Sequence, residues 1–303
     1  MKDSKRKISR IQSLFTLNEV EFSLLREDEL HPVISGNKFR KMKYNLEEFS
    51  QGNFSTLLTF GGAYSNHIAA VAGAGKEFGF ETIGIIRGEE LQEKIAENPT
   101  LQFAQDCGMK FKFISRSDYR KKNTVEFLAG LQSEFGQVYI LPEGGTNEFA
   151  IRGCEEILNE NTYEFDCICL AVGTGGTIAG IANSAESHQK IIGFPALKSG
   201  DFLYKEINKW TQRCNFELIL DYHFGGYGKL NQELIQFIND FKQQYNVSLD
   251  PIYTGKMVFG VVDLIQKSYF PPKTKILAIH TGGLQGIEGM NQKLERKNKM
   301  RIE

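Results

Sequence analysis

Cysteine is scarce in this 303-residue chain, and the five present (Cys107, Cys154, Cys167, Cys169, Cys214) are odd in number and show no Cys-x-x-Cys spacing. That argues against a disulfide framework and against a zinc site. No cluster of His, Cys and carboxylates has the spacing of metal ligands, so no catalytic metal is expected. Long apolar runs are missing as well, with none near the roughly 20 residues that a bilayer crossing needs. The basic segment Met1–Arg10 has no apolar stretch behind it, so neither a secretory signal nor a membrane anchor is expected, and a soluble, cytoplasmic protein is. An excess of one charge is also lacking. The 36 Lys and Arg against 37 Asp and Glu give a net charge of −1, which leaves no overall field to recruit nucleic acid or an anionic membrane and suits a small neutral or zwitterionic ligand.

Two nucleotide signatures are absent in an informative way. The run Gly173-Thr174-Gly175-Gly176-Thr177 follows the strand-like Cys167–Val172 and precedes a helix-like stretch, but the third glycine of the dinucleotide fingerprint is replaced by Ile178. The next strand-like run, Ile191-Ile192-Gly193-Phe194, supplies no acidic residue for a ribose. No Gly-rich loop ending in Gly-Lys-Ser/Thr occurs either, which excludes the usual triphosphate cradle. What remains is a strand that ends in glycines and enters a helix, so that unpaired N–H groups and the positive end of the helix dipole meet at one point. That point suits a lone phosphate ester. Cys167 and Cys169, two residues apart on the preceding strand, share one face and read as core packing.

From Thr56 onward strand-like and helix-like runs alternate. Strands are expected at 56–60, 82–87, 110–114 and 138–141, with helices at 68–78, 99–107 and 124–135 between them. After Gly144-Gly145 a second series runs through helix 149–159, strand 166–172, helix 177–186, strand 190–194, helix 201–211, strand 216–220, helices 231–245 and 255–267, strand 275–280 and helix 284–297. Such alternation predicts an α/β fold with two open parallel sheets joined by right-handed crossovers, and a cleft between two domains. The smaller domain is placed at residues 46–145, inserted into a larger one built from 1–45 and 146–303.

Ligands of open parallel sheets bind beyond the carboxyl ends of the strands. Three such ends carry glycine with hydroxyl or amide side chains: Gly61-Gly62-Ala63-Tyr64-Ser65-Asn66-His67, Gly173–Thr177 and His280-Thr281-Gly282-Gly283. They are expected to converge on one site. Upstream, Lys38 stands in Ser35-Gly36-Asn37-Lys38-Phe39-Arg40-Lys41, where Asn37 can cap a helix whose first turn holds Lys38, and Lys38 and Arg40 then point to nearly opposite faces. The dipole of that turn opposes an ammonium charge and favours the free amine that attacks a carbonyl. Ser65 alone reads as a capping serine and His67 alone as a packed histidine, while Tyr227 and Tyr253 read as core aromatics; each gains a functional reading only as a member of the set.

Six blocks occur in order: Gly36-Asn37-Lys38-x-Arg40-Lys41, Ser65-Asn66-His67, Gly173–Thr177, Gly225-Gly226-Tyr227-Gly228, Asp250-Pro251-Ile252-Tyr253-Thr254-Gly255-Lys256 and His280-Thr281-Gly282-Gly283. Over about residues 24–290 the chain resembles the 1-aminocyclopropane-1-carboxylate deaminase / D-cysteine desulfhydrase family of fold type II pyridoxal-phosphate enzymes. The resemblance implies pyridoxal 5'-phosphate as cofactor, Lys38 as the lysine bonded to its aldehyde, and the loop Gly173, Thr174, Gly175, Gly176 and Thr177 as the holder of its phosphate. Asn66 would bond the ring's 3′-oxygen. Ser65, Asn66 and His67 would take the substrate carboxylate, and Ser65, Tyr227 and Tyr253 would flank the substrate and assist proton transfer. A homodimer is implied too.

Cyclopropane deaminases carry Glu directly after the tyrosine that matches Tyr253, and here that residue is Thr254. A hydroxyl at the ring nitrogen, from Thr254 or Thr281, supports a neutral ring, which suffices for β-elimination. A D-cysteine desulfhydrase-type α,β-elimination giving pyruvate, ammonia and sulfide is therefore expected, with 1-aminocyclopropane-1-carboxylate deaminase as the alternative. Ile68, Ala69 and Ala70 after His67, and Phe39 after Lys38, depart from the family's usual residues and bear on substrate choice. More remote readings are a non-catalytic phosphometabolite-binding protein and a hydrolase with Ser65 as nucleophile. The latter lacks the Gly-x-Ser-x-Gly elbow.

Overall fold

The computed structural model describes residues 8–303; most of the basic Met1–Arg10 segment lies outside the described residues. The elements in chain order are β1 (Ile11–Leu17), β2 (Val20–Leu25), α1 (Asn37–Gln51), β3 (Thr56–Gly61), α2 (Asn66–Phe78), β4 (Glu81–Arg87), α3 (Pro99–Asp106), β5 (Lys110–Ile114), α4 (Arg116–Tyr119), α5 (Val125–Phe135), β6 (Tyr139–Leu141), α6 (Glu148–Glu155), β7 (Cys167–Val172), α7 (Gly176–Ser184), β8 (Lys190–Pro195), α8 (Phe202–Ile207), β9 (Phe216–Leu218), α9 (Gln232–Tyr245), α10 (Thr254–Gln266), β10 (Lys275–Ile279) and α11 (Gly286–Glu295).

They form two sheets, one in the order β1-β2-β10-β7-β8-β9 and the other β5-β4-β3-β6. Every pairing is parallel except that of β1 with β2. Strand–helix alternation forces that outcome, since a parallel neighbour needs a crossover long enough to hold a helix. The hairpin β1–β2 is the one departure. Its two-residue turn, Asn18-Glu19, has both residues at positive φ (51° and 61°), the geometry that matches strand twist in tight hairpins. It adds an antiparallel edge to the larger sheet.

Pleating divides the large domain's core in two. In β7, Cys167, Cys169 and Ala171 pack on one face with α9 and α10, whereas Ile168, Leu170 and Val172 pack on the other with α6 and α7. All six are buried, each fully buried Ile or Leu contributing about 1.5–3 kcal/mol. The smaller sheet is covered the same way: Leu57 and Ile86 face α1, α2 and α3, and Leu58, Phe60, Ile83 and Ile85 face α5 through Leu131. Helix α1 places Phe39, Met42, Leu46 and Phe49 in this second core and packs its Arg40 carbonyl against α6 at Gly153, where an added Cβ would stand 2.0 Å away. It is therefore the element that fastens the two sheets together. We propose the division into residues 46–145 and residues 1–45 with 146–303. No helix among the described residues is long and apolar enough to cross a membrane.

Candidate active site

The carboxyl ends of β3, β7 and β10 open onto one cavity of ≈ 840 Å³. Its wall holds Lys38, Ser65, Asn66, His67, Gly173, Thr174, Gly175, Thr177, Tyr227, Tyr253, Thr281 and Gly282, so the three glycine-rich strand ends do meet. Gly176 and Thr254 stand behind that wall.

Lys38 is placed by the turn before it. Gly36, at φ +62°, lies so close to β10's end that a Cβ would be 1.9 Å from the Thr281 carbonyl oxygen, and Asn37 N–H donates to that oxygen. Only glycine fits there. The helix cap expected of Asn37 is not formed: Gly36 is the N-cap, and Asn37 Nδ2 instead donates to Thr177 Oγ1 at 2.8 Å, tying α1 to α7. From the second position of α1, Lys38 enters the cavity, while Arg40 turns away to pair with Glu27 at 2.8 Å. Among the described residues the Lys38 amine makes no hydrogen bond or ion pair. Burial, and secondarily the charge of Lys41, lower its pKa to about 7, so burial takes the role expected of the helix dipole. A free amine at neutral pH is the form that condenses with an aldehyde.

The loop Gly173–Thr177 wraps the N-terminus of α7. Gly175 takes φ +86°, which turns successive N–H groups inward. Thr174 Oγ1 shares a hydrogen bond with Thr146 Oγ1 at 2.7 Å. Gly176 is a close-approach point, where a Cβ would stand 2.8 Å from Thr146 and 3.1 Å from Lys41 Nζ. Lys41, buried and donating to the Gly144 carbonyl and Thr146 Oγ1 at 3.0 Å each, supplies the cation beside this cradle, and burial lowers its pKa. Amides, hydroxyls and an ammonium around a glycine-lined hollow fit a phosphate ester. Lys41 was not among the residues expected here; its signal was the i, i+3 spacing from Lys38, which puts both amines on one face of α1.

The remaining candidates divide. Ser65 caps α2, accepting from Ile68 N–H at 3.3 Å. Asn66 Oδ1 accepts from Gln285 at 2.6 Å, and Asn66 also lines a water-sized hollow beside Lys38 and Thr281. His67 is fully packed, its Nε2 2.8 Å from Thr59 Oγ1, which itself donates to the Leu141 carbonyl. Nε2 is therefore the protonated nitrogen, and Nδ1 is buried without a partner. Burial, then Lys38 and Lys41, hold the ring neutral. Neither histidine nitrogen serves Ser65, so the hydrolase reading has no support here. Thr254 corrects another expectation. Its hydroxyl accepts from Asp250 N–H at 2.8 Å and donates to Asp250 Oδ1 at 2.9 Å, so its one proton is not free for a ring nitrogen and the side chain is fully buried, whereas Thr281 lies on the cavity wall.

Tyr227 and Tyr253 meet edge to face, centroids 6.1 Å apart, and burial followed by Tyr227 raises the Tyr253 pKa well above 10. Both loops are anchored from beneath. Lys256 donates to the carbonyls of His223 and Gly226 at 2.8 and 2.9 Å, and Asp250 accepts from the N–H groups of Ile252, Tyr253 and Thr254. The rim carries Arg87, Glu90, Arg116, Tyr119, Arg120, Lys122 and Glu143, none of which stands in a motif that marks it in the chain.

Comparison with known proteins agrees with this geometry. Residues 7–282 match the family profile described as pyridoxal-phosphate dependent enzyme. A Pyrococcus horikoshii protein with the provisional name 1-aminocyclopropane-1-carboxylate deaminase is 29% identical over 287 residues, covering 89% of this chain and 87% of its own. The bifunctional D-cysteine desulfhydrase/1-aminocyclopropane-1-carboxylate deaminase of Arabidopsis thaliana, a mitochondrial protein, is 30% identical over 301 residues, covering 89% of this chain and 74% of its own. The crystal structure of an ACC deaminase homologue superposes with a TM-score of 0.78 at 27% identity, over 92% of this chain and 90% of that one. The O-acetylserine dependent cystathionine beta-synthase of Helicobacter pylori, at 14% identity and a TM-score of 0.68, over 93% of this chain and 95% of its own, shares the fold. The chain thus belongs to the pyridoxal-phosphate dependent enzyme family, in its group of 1-aminocyclopropane-1-carboxylate deaminases and D-cysteine desulfhydrases.

Proposed function

We propose that the enzyme catalyses β-elimination from a small amino acid, of the D-cysteine desulfhydrase type, releasing pyruvate, ammonia and sulfide. One observation carries this reading over the cyclopropane deaminase. The acidic residues on the cavity wall, Glu90 and Glu143, are at the rim and engaged, Glu90 with Arg116 and Glu143 with Tyr119 and Lys122. Asp250, behind the wall, has both oxygens occupied by Ile252, Tyr253 and Thr254. Next to Lys38 and Asn66, Thr281 brings a hydroxyl side chain to the wall that a cofactor ring would face. A hydroxyl supports a neutral ring, enough to release a thiol but a weaker aid to opening an unactivated cyclopropane.

Pyridoxal phosphate, when bound, supplies an aldehyde carbon for the substrate's amine and a conjugated ring that lowers the energy of negative charge at Cα. The chain's residues do the rest. Lys41 and the 173–177 loop, Gly176 included, would hold the phosphate. Lys38, which makes no hydrogen bond or ion pair among the described residues, would be the amine that holds the cofactor's aldehyde carbon, and with a pKa of about 7 it is the base placed to take the Cα proton near neutral pH. The backbone N–H groups of Asn66 and His67, at the start of α2, with the Ser65 hydroxyl and the Asn66 amide, orient the carboxylate. Tyr253, held protonated by burial and Tyr227, donates toward the departing sulfur.

The Arabidopsis relative's name joins both activities, so the cyclopropane substrate is the competing reading. Purified holoenzyme given D-cysteine, L-cysteine and 1-aminocyclopropane-1-carboxylate separates them: sulfide with pyruvate from D-cysteine supports the proposal, and 2-oxobutanoate from the cyclopropane compound without sulfide from D-cysteine overturns it. We also propose two copies per functional unit and a cytoplasmic location, the former tested by sedimentation of the holoenzyme.

A further inference from the structure

The cavity of ≈ 840 Å³ lies near the upper end of the roughly 300–1,000 Å³ typical of small-molecule sites. Its floor is matched to a phosphate and an amine, as above, yet its rim is basic. Four cations stand there, Arg87, Arg116, Arg120 and Lys122, against two carboxylates. Arg116 pairs with Glu90, and Lys122 with Glu143 at 3.2 Å, so among the described residues Arg87 and Arg120 keep no carboxylate partner. Arg87 is aimed by its surroundings. It ends β4, the strand beside β3, whose following loop holds Ser65–His67. Its guanidinium rests 5.6 Å from the Tyr119 ring centroid, and the Tyr119 hydroxyl is in turn fixed by Glu143 at 2.8 Å. Nη2 lies over Gly62, 3.4 Å from where a Cβ would be. An exposed guanidinium beside an aromatic ring, with no carboxylate partner among the described residues, leaves its fork of donors for an oxyanion.

Building on the β-elimination reading, we propose that Arg87 selects substrates whose β-substituent ends in an oxyanion, a sulfonate or phosphate on the alanine β-carbon. The reaction balances without a further reactant: the Cα proton is removed, the Cβ–substituent bond breaks with its electron pair going to the departing sulfite or phosphate, and water hydrolyses the remaining enamine to pyruvate and ammonia. Arg87 binds the charged end before cleavage and the released anion after it.

The test uses holoenzyme with racemic cysteate, racemic O-phosphoserine, D-cysteine and D-serine, reading pyruvate, and reading inhibition of D-cysteine turnover by the two anionic compounds. At least one anionic compound is expected to exceed D-serine in kcat/KM by about 10-fold or more, with a KM that rises as salt goes from about 0.05 to 0.5 M. Arg87→Gln is expected to lower the cysteate or phosphoserine to D-cysteine ratio of kcat/KM by about 10- to 100-fold, the range for a hydrogen bond between charged groups, with Arg87→Lys between. Equal losses on D-cysteine and the anionic compounds in Arg87→Gln would mean that Arg87 reads the α-carboxylate, and the proposal fails. It fails too if neither anionic compound is turned over or competes with D-cysteine. Turnover of an anionic compound alone, with D-cysteine inert, removes the D-cysteine reading and leaves this one standing.

Discussion

The free amine of Lys38 is the quantity on which catalysis depends, and it is directly measurable. An ordinary lysine with a pKa of 10.5 has about 0.03% neutral amine at pH 7, whereas a pKa of about 7 gives about half, an increase on the order of 10³-fold. Burial is the larger cause and the Lys41 charge the smaller. Competitive labelling of the cofactor-free protein with limiting acetic anhydride across about pH 5–11, read by peptide mass spectrometry, should give Lys38 a midpoint near 7, well below the ordinary lysine value of 10.5. Lys41→Met should raise that midpoint only in part, because desolvation remains. The sign for stability follows. The unfolded chain binds the Lys38 proton up to about pH 10.5 and the folded chain only up to about 7, so this group makes the cofactor-free protein more stable as pH rises through that window, with the penalty fully present below it. A Lys38 midpoint near 10 would refute the reasoning, and a complete return to 10 in Lys41→Met would show that charge, not burial, was the cause.

Lys41→Met should also weaken pyridoxal-phosphate binding about 10- to 100-fold, since a charge-assisted hydrogen bond is lost; titration of the cofactor-free protein followed by absorbance measures it, and unchanged affinity removes Lys41 from the phosphate site. Gly36→Ala meets both a positive φ of 62° and a Cβ 1.9 Å from Thr281 O, and should cost about 2–4 kcal/mol in urea unfolding; a wild-type midpoint would show that the turn can relax. Lys256→Met strands the buried-side carbonyls of His223 and Gly226, costing about 1–3 kcal/mol each. It should also increase proteolysis between residues 223 and 229, a change that limited digestion detects, and unaltered digestion counts against Lys256 as the anchor of that loop.

Residue order alone made the strand–helix alternation legible, because parallel strands buried on both faces are written as short apolar runs bounded by turns, and it made the three glycine-rich strand ends stand out, because backbone approach to a ligand requires missing side chains. The hairpin β1–β2 stayed hidden. Its turn is Asn18-Glu19 rather than the Asn-Gly that marks such turns, and a glutamate at φ 61° is stabilised by the pairing of Leu17 with Val20, not by its own propensity. Where residues distant in sequence compete for one group, composition is silent. Asn37 looked like a cap until α7 put Thr177 within 2.8 Å, and Arg87 became a candidate only when β4 aligned with β3. The sequence thus determined the layers and the backbone of the site, which depend on local periodicity and on glycine. Hydrogen-bond partners, desolvation and the lowered pKa of Lys38 were decided by the tertiary structure, since each depends on which atoms are brought within a few ångströms and how much water they exclude.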